Sequence, residues 1–469
     1  MLFNSIHFLA FLPVVVILYY ALNYRYRWIL LLTASYYFYA SWKVEYLLLI
    51  IMSTFIDYYA AIQIHKHRDK PQTKKFFLFI SLLSNLGILV FFKYFNFLGN
   101  SLHVLLSSTG FLLEIPYLDF LLPVGISFYT FQTLSYSIDV YRGDREAEKH
   151  LGIFALYVTF FPQLVAGPIE RSTHFIPQLR QNNLLRQENI SAGLKLIIWG
   201  FFMKLVIADR VSIYVNAVYN NVEYHDGITF LLATFFFAFQ IYGDFAGYSF
   251  IAIGSARLMG YDLMTNFRRP YFAKNIKEFW GRWHISLSTW FRDYLYIPLG
   301  GNRTIKWRWY FNLFLTFLIS GLWHGANWTF VIWGALHGLF LVTYTYLSSK
   351  NIKIPGLPSI LLNFMLVGLA WMFFRANSVS DAFLILSEVF TNPGKIYIPS
   401  GPDVVTPFYA ILGILALLII EVNQEFNNGK VYLFDSKNEN VRILAYSSMI
   451  VLIMLLGVFD GGQFIYFQF

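Results

Sequence analysis

The sequence predicts an all-α integral membrane protein, a multi-span helical bundle, on three observations. Of its 469 residues, 57% are hydrophobic and only 13% are charged, about half of the roughly 25% charge carried by a water-facing domain. Apolar runs recur from one end of the chain to the other. No soluble domain, low-complexity linker or internal repeat stands out between them.

Taken in order, the runs cover 7–22, 28–42, 46–64, 76–92, 121–140, 151–168, 193–208, 228–246, 309–323, 327–347, 358–374, 405–421 and 443–459. Several fall short of the roughly 20 residues that a straight crossing needs. About 11 crossings, with additional re-entrant or interfacial helices, are therefore expected. The opening MLFNSIHFLAFLPVVVILYYAL has neither a basic start nor a small-residue cleavage site, so it reads as the first membrane helix. The loops Arg25–Arg27 and Lys66–Lys75, two crossings apart, are both basic, which places them in the cytoplasm and the N-terminus outside. The polar connections 169–191, 266–308, 393–404 and 423–441 read as loops of one membrane domain covering 1–469. Residues 266–308 carry the largest basic block, with nine Lys and Arg against Glu278 and Asp293. That block is expected at the cytoplasmic side with an interfacial aromatic helix inside it.

Composition also excludes chemistry. The chain has no cysteine, which removes disulfides, thiolate nucleophiles and zinc–cysteine sites. GxxxxGK[ST], HExxH and GxSxG patterns are missing, so a P-loop pump, a zincin and a serine hydrolase have no recognisable site. The net charge of +9 belongs to cytoplasmic loops; no basic soluble domain exists to bind nucleic acid. What remains is histidine, carboxylate and aromatic chemistry in the membrane.

Residues 320–338, SGLWHGANWTFVIWGALHG, hold two histidines and no Asp, Glu, Lys or Arg. The 15 apolar residues from Trp309 to Trp323 rise roughly 22 Å, short of a ~30 Å hydrocarbon core. Gly321, Gly325 and Asn327 predict a bent or broken helix there, which membranes tolerate only inside protein or beside a water-filled cavity. His324 is the candidate to line such a cavity, against the alternative of a packing residue. His337 lies roughly 220° around and ~20 Å along a continuous helix from His324, and reads as a packing residue.

A second histidine-bearing stretch is NIKEFWGRWHISLSTWFRDYLYIPLGGNR, residues 275–303. Trp280, Trp283, Leu287, Trp290, Phe291 and Tyr294 recur at helical spacing and predict one aromatic stripe. His284, four residues after Trp280, shares that face. A buried neutral imidazole can take the proton of an alcohol attacking an acyl carbon. Asn327, or backbone N–H groups at the break, could then donate to the oxyanion.

These stretches resemble the membrane-bound O-acyltransferase (MBOAT) superfamily, in its bacterial alginate O-acetyltransferase-like branch. Further blocks agree in order: MLFNSIHFLAFLPVV, LPVGISFYTFQTLSYSIDVYRG, FFPQLVAGPIERS, QIYGDFAGYSFIAIGSARLMGY and the terminal QFIYFQF. The resemblance implies a helix bundle around a tunnel, with His324 of the LWHG motif catalytic and His284 of WHISLS the second functional position. It makes Trp323, Asn327, Trp283, Asp244 and Arg282 supporting tunnel residues, with no metal. Ala246 and Phe250 depart from the family's DFSGYSDMAIG-like pattern. Gln163 and Glu170, flanking the turn Leu164–Pro168, read as structural.

The implied function is acetyl transfer from a cytoplasmic thioester, acetyl-CoA, to hydroxyls of an exported glycan. The implied setting is the bacterial cytoplasmic membrane, among lipids, beside an extracytoplasmic SGNH-type partner. D-alanyl transfer to teichoic acid from a carrier-protein thioester is an alternative within the superfamily. A transporter or flippase is the alternative outside it, which the lack of a repeat disfavours.

Overall fold

The computed structural model describes residues 1–111, 115–165, 167–352, 354–431, 433–459 and 464–465. Every regular element among them is helical. In chain order they are α1 (Ile6–Ala21), α2 (Tyr24–Ala40), α3 (Leu47–Lys66), α4 (Pro71–Leu89), α5 (Phe95–Ser107), α6 (Ile126–Arg142) and α7 (Leu151–Thr159). Then follow α8 (Phe161–Leu164), α9 (Ser172–Leu179), α10 (Gln187–Phe201), α11 (Asp209–Tyr219), α12 (Gly227–Leu258), α13 (Ile276–Arg282) and α14 (Ile285–Phe291). The last six are α15 (Lys306–His324), α16 (Trp328–Ser349), α17 (Leu357–Arg375), α18 (Val379–Thr391), α19 (Thr406–Phe426) and α20 (Glu439–Leu456).

Among the described residues, eight helical stretches are long and apolar enough to cross a membrane: Val44–Lys66, Pro71–Ser107, Gln187–Tyr219, Gly227–Leu258, Trp328–Ser349, Leu357–Arg375, Asp403–Phe426 and Glu439–Leu456. The expected figure was about 11. Part of the difference is merging: α4 continues through a π-helical turn at Val90–Tyr94 into α5, and α10 through another at Phe202–Ala208 into α11. α1, at 16 residues, is apolar but short.

The described chain clusters into two compact units where one domain was expected. The first is Met1–Leu194 with Ala252–Met264, the second Lys195–Ile251 with Thr265–Phe469. In the first, α3, α4 and α6 meet around a buried polar cluster. The side-chain amide of Asn85 donates to both carboxylate oxygens of Asp57 at 2.9 and 2.8 Å. Ser81 donates to Ser137 at 2.9 Å, and Thr133 to Asn85 at 3.0 Å. With no water to compete, such bonds join apolar helices that hydrophobicity alone cannot hold together in lipid. Gln163 and Glu170, expected to be structural, also lie in this unit and are both hydrogen-bonded. Gln163 donates to the Tyr157 carbonyl at 2.7 Å, and Glu170 pairs with His174 at 2.9 Å and accepts from the Met264 N–H.

The second unit is built on the α15–α16 hairpin. α15 begins at Lys306, not Trp309, because Lys306, Trp307 and Arg308 are already helical. Its 19 residues rise roughly 28 Å, close to a full hydrocarbon thickness. His324 is therefore the last helical residue, near the end opposite the basic Lys306–Arg308 turn, and not halfway through. Gly325 is extended, at φ −158°, and Asn327 caps α16 by accepting from the Thr329 N–H at 3.1 Å. The expected break is thus a tight hairpin.

Gly321 and Gly334 let the two backbones touch. A Cβ on Gly321 would stand 2.3 Å from the Phe330 carbonyl oxygen, and one on Gly334 2.4 Å from that of Phe317. This is small-residue packing of membrane helices. Gly334→Ala should force the hairpin apart and cost about 1–3 kcal/mol, the usual range for overpacking. A thermal unfolding midpoint unchanged from wild type in detergent would contradict it.

Candidate active site

His324 is buried, with 4% of its surface exposed. Its ring is walled by aromatic neighbours: Trp323 at 5.0 Å between centroids, Trp333 at 4.9 Å and Phe374 at 5.6 Å. Trp333 comes from α16 and Phe374 from α17, so three helices converge on the imidazole.

The hairpin also overturns the ~20 Å separation expected for His337. Because α16 runs back along α15, both rings touch the same indole, His324 at 4.9 Å and His337 at 4.8 Å from Trp333. His337 is fully buried, among Phe279, Trp280, Phe317 and Trp371.

The aromatic stripe exists, but not as one helix. The backbone turns at His284, which adopts the left-handed conformation at φ 43°, ψ 53° and separates α13 from α14. Asn266 clamps the start of α14. Its carbonyl accepts from the Ile285 N–H at 2.9 Å, and its side-chain oxygen accepts from the N–H and hydroxyl of Ser286 at 3.2 and 2.9 Å. Non-glycine residues are uncommon in that conformation, and His is among those enriched in it.

His284 is 1% exposed, between Phe245 and Phe267. Its neighbour Trp283 packs on Trp371 at 5.1 Å, and Trp371 stacks on Trp333 at 5.8 Å. A continuous aromatic layer therefore links the two histidine segments.

Burial pushes the His284 imidazole down to about 3, from an ordinary value of 6.5. It is neutral at neutral pH. A folded value below the unfolded one means that the unfolded chain takes up a proton that the folded chain refuses. Stability linked to His284 is then intact above about pH 6.5 and falls as pH drops towards 3. His284→Asn suits the left-handed backbone and removes the titration. The variant should lose less stability than wild type between pH 7 and pH 5 in denaturant titrations; equal losses would contradict this.

The second unit holds two cavities whose linings approach the His324 ring system, and His324 itself, expected to line a cavity, is on neither. One, of about 470 Å³, is mostly apolar and lined by Trp280, Leu287, Phe291, Thr316, Phe317 and Ser320, with the exposed Lys277 and Arg292 also on it. The other, of about 530 Å³, is lined by Asn216, Asn220, Asn327, Arg375 and Asn377 with Phe330 and Phe374. Between them runs a partition of rings: Trp280 against Trp333 at 5.8 Å, Trp333 against His324, and His324 against Phe374.

The supporting residues expected from sequence divide. Trp323 and Trp283 belong to the aromatic layer. Asn327 lines the polar cavity, but its oxygen caps α16 and its amide donates to the Asn377 carbonyl at 3.2 Å. Arg282 lies outside the layer, in an ion cluster with Glu278 at 2.6 Å and Glu425 at 2.9 Å. Asp244 lies in a buried ion cluster. It takes the Lys204 ammonium at 2.6 Å and the Ile465 N–H at 2.6 Å, while Lys204 also pairs with Asp209 at 2.8 Å. Of the terminal QFIYFQF block only Phe464 and Ile465 are described; the other positions lie outside the described residues. Arg375 and its asparagines were missed, although an arginine ending the apolar run 358–374 was a signal.

An ionisable ring buried at the end of α15, inside an all-helical membrane protein, defines a class: membrane-embedded enzymes and transporters that work on a buried polar site. Comparison with known proteins narrows it. The model of the MBOAT, membrane-bound O-acyltransferase family matches residues 29–376; the chain belongs to that family and is an O-acyltransferase. It is 40% identical over 398 residues to the probable alginate O-acetylase AlgI of Pseudomonas aeruginosa, covering 83% of this chain and 75% of that protein. It is 36% identical over 422 residues to the peptidoglycan O-acetyltransferase of Helicobacter pylori, covering 82% and 79%. The teichoic acid D-alanyltransferase of Bacillus subtilis is 30% identical over 247 residues, covering 50% of this chain and 62% of that protein.

Proposed function

We propose that the chain moves an acetyl group from a cytoplasmic thioester, acetyl-CoA, to hydroxyls of an exported polysaccharide, with His324 as general base. The observation that carries this reading is the place of the buried His324 ring in a row of aromatic contacts that runs from Trp280, on the apolar cavity, through Trp333 to Phe374, on the polar one. The apolar cavity, with Lys277 and Arg292 on it, suits a thioester arm attached to an anionic carrier. The asparagine-lined cavity suits a polyol. Relatives named for acetylating alginate and peptidoglycan, matching over four-fifths of the chain, support acetyl and polysaccharide over D-alanyl and teichoic acid.

Orientation follows from the Lys and Arg bias. Lys306 and Arg308 open α15 and Lys350 follows α16, all at the end away from His324. Basic ends stay in the cytoplasm, so donor entry is cytoplasmic and the polar cavity faces outward, in a bacterial cytoplasmic membrane.

The chemistry needs few parts. The acceptor O–H donates its proton to the His324 imidazole as its oxygen attacks the thioester carbonyl. The C–S bond then breaks, the imidazolium returns the proton to the departing thiolate, and an O-acetyl ester and free thiol result. The rings around His324 exclude water, which would otherwise hydrolyse the donor. The accepting hydroxyl is that of the glycan itself or of a serine on a separate extracytoplasmic SGNH-type transferase that relays the acetyl group.

Membranes carrying the chain should convert radiolabelled acetyl-CoA to labelled acetyl ester on added oligosaccharide. Labelling from a D-alanyl carrier-protein thioester in preference to acetyl-CoA would overturn the donor assignment.

A further inference from the structure

A third cavity of the second unit, of about 510 Å³, shares no lining residue with the two near His324. α10 contributes Lys195 and Trp199 to it, α12 Tyr242 and Phe250, α19 Glu421 and Gln424, and α20 Tyr446. Two cations on the lining have no carboxylate partner among the described residues. They are Lys195, whose ammonium lies 5.4 Å over the Tyr446 ring, and the exposed Arg268. The third, Arg269, is tied to Glu425 at 2.7 Å. Both acids on the lining are engaged: Glu421 accepts from the Tyr242 hydroxyl, and Asp435 from the Val431 N–H at 2.7 Å. Unpaired positive charge between aromatic walls suits an anion that carries apolar mass.

The place of the cavity supplies the apolar part. Lys195, Glu421 and Tyr446 are eight, five and seven residues inside the ends of α10, α19 and α20, roughly 8–12 Å along the axes. Around that level α19 and α20 expose Ile419, Val422, Ile443 and Leu444. On spanning helices such a surface meets acyl chains. Arg268 belongs to the basic segment 266–308, on the face that Lys and Arg bias holds in the cytoplasm. That leaflet carries the anionic lipids, and basic pockets between helices on that side take their headgroups.

We propose that this cavity binds the phosphate of an anionic phospholipid headgroup, held by Lys195 and Arg268, with the acyl chains lying along α19 and α20. Gln424 and Thr265, also on the lining, suit the hydroxyls of a glycerol headgroup. The site bears on the histidine layer. Tyr242 and Phe267 line the cavity and pack on Trp283 at 6.0 and 5.1 Å, and Phe267 also meets His284 at 6.0 Å. A bound headgroup therefore braces two of the rings that hold the Trp283–His284 turn. The competing reading is diffuse attraction to a basic face, to which the exposed Lys430 and Lys437, both off the lining, would contribute as much as Lys195 and Arg268.

The full chain, delipidated in a neutral detergent, is titrated with short-chain phosphatidylglycerol and phosphatidylcholine. Wild type should bind phosphatidylglycerol about tenfold more tightly, a modest return from two basic contacts at a membrane surface. Lys195→Gln with Arg268→Gln should abolish the preference, and Lys430→Gln with Lys437→Gln should leave it intact. Equal losses in the two pairs would establish diffuse attraction and overturn the proposal. So would equal binding of the two lipids by wild type, a comparison that needs no variant and so cannot be obscured by misfolding. Displacement of phosphatidylglycerol by inorganic phosphate or CoA at equal concentration would assign the cations to a soluble phosphate and overturn the lipid. Acetyl transfer plays no part in the measurement, so the lipid site and the acyltransfer reading stand or fall separately.

Discussion

His324→Ala is expected to lower acetyl transfer at least a hundredfold, with donor binding retained. Positioned general bases contribute typically 10²–10⁴-fold, and the surroundings of His324 leave no substitute. His337 is across the Trp333 indole, which both rings touch at about 4.9 Å, so it cannot reach the same hydroxyl. His284 is further off along the aromatic layer, beyond Trp283, Trp371 and Trp333. His324→Asn serves as the companion variant, since it keeps a polar side chain of similar reach and has no base at neutral pH. The pair should fail alike in steady-state assays with labelled donor. Transfer restored by asparagine would point to a positioning residue in place of a base.

The second large effect is on stability. Lys204, Asp209 and Asp244 are 1%, 4% and 2% exposed and form a buried triad of one cation and two carboxylates. Lys204 lies in the π-helical turn Phe202–Ala208, where Gly243 and Gly247 of α12 admit the backbone closely. Lys204→Met would strand two carboxylates in an apolar interior. Breaking a buried pair from one side typically costs 3–5 kcal/mol, enough on that scale to prevent accumulation of folded protein. The variant should express poorly or melt far below wild type. Adding Asp209→Asn and Asp244→Asn should recover much of the loss, because neutral amides leave no stranded charge. A Lys204→Met protein as stable as wild type would show that the triad carries no net electrostatic load.

Much of this was legible in the sequence, and the misses have physical causes. Helix existence followed from hydropathy because lipid requires each span to satisfy its own backbone hydrogen bonds. The burial of His324 was legible because the stretch around it holds Gly, Trp and Asn and no Asp, Glu, Lys or Arg. Its depth was misjudged because Lys306 and Arg308, charged and so excluded from the apolar count, are helical all the same. The distance to His337 was misjudged because a three-residue link, Gly325, Ala326 and Asn327, turns the chain back on itself, and helical arithmetic cannot cross a turn. Arg282 and Asp244 entered as tunnel residues with the resemblance; their partners, Glu425 and Lys204, come from distant segments that no local pattern reveals. The asparagines around Arg375 come from α11, α16 and the α17–α18 link, and only the fold assembles them.

The central claim is that acetyl passes from a donor on the basic face, by way of His324, to an acceptor on the other. Proteoliposomes with the chain in one known orientation, given labelled acetyl-CoA on a single side, test it directly. Label presented to the face bearing Lys306 and Arg308 should appear on oligosaccharide supplied to the opposite face, and should not appear there with His324→Ala. Equal labelling when donor and acceptor are exchanged between faces, or transfer by His324→Ala at the wild-type rate, would contradict the account.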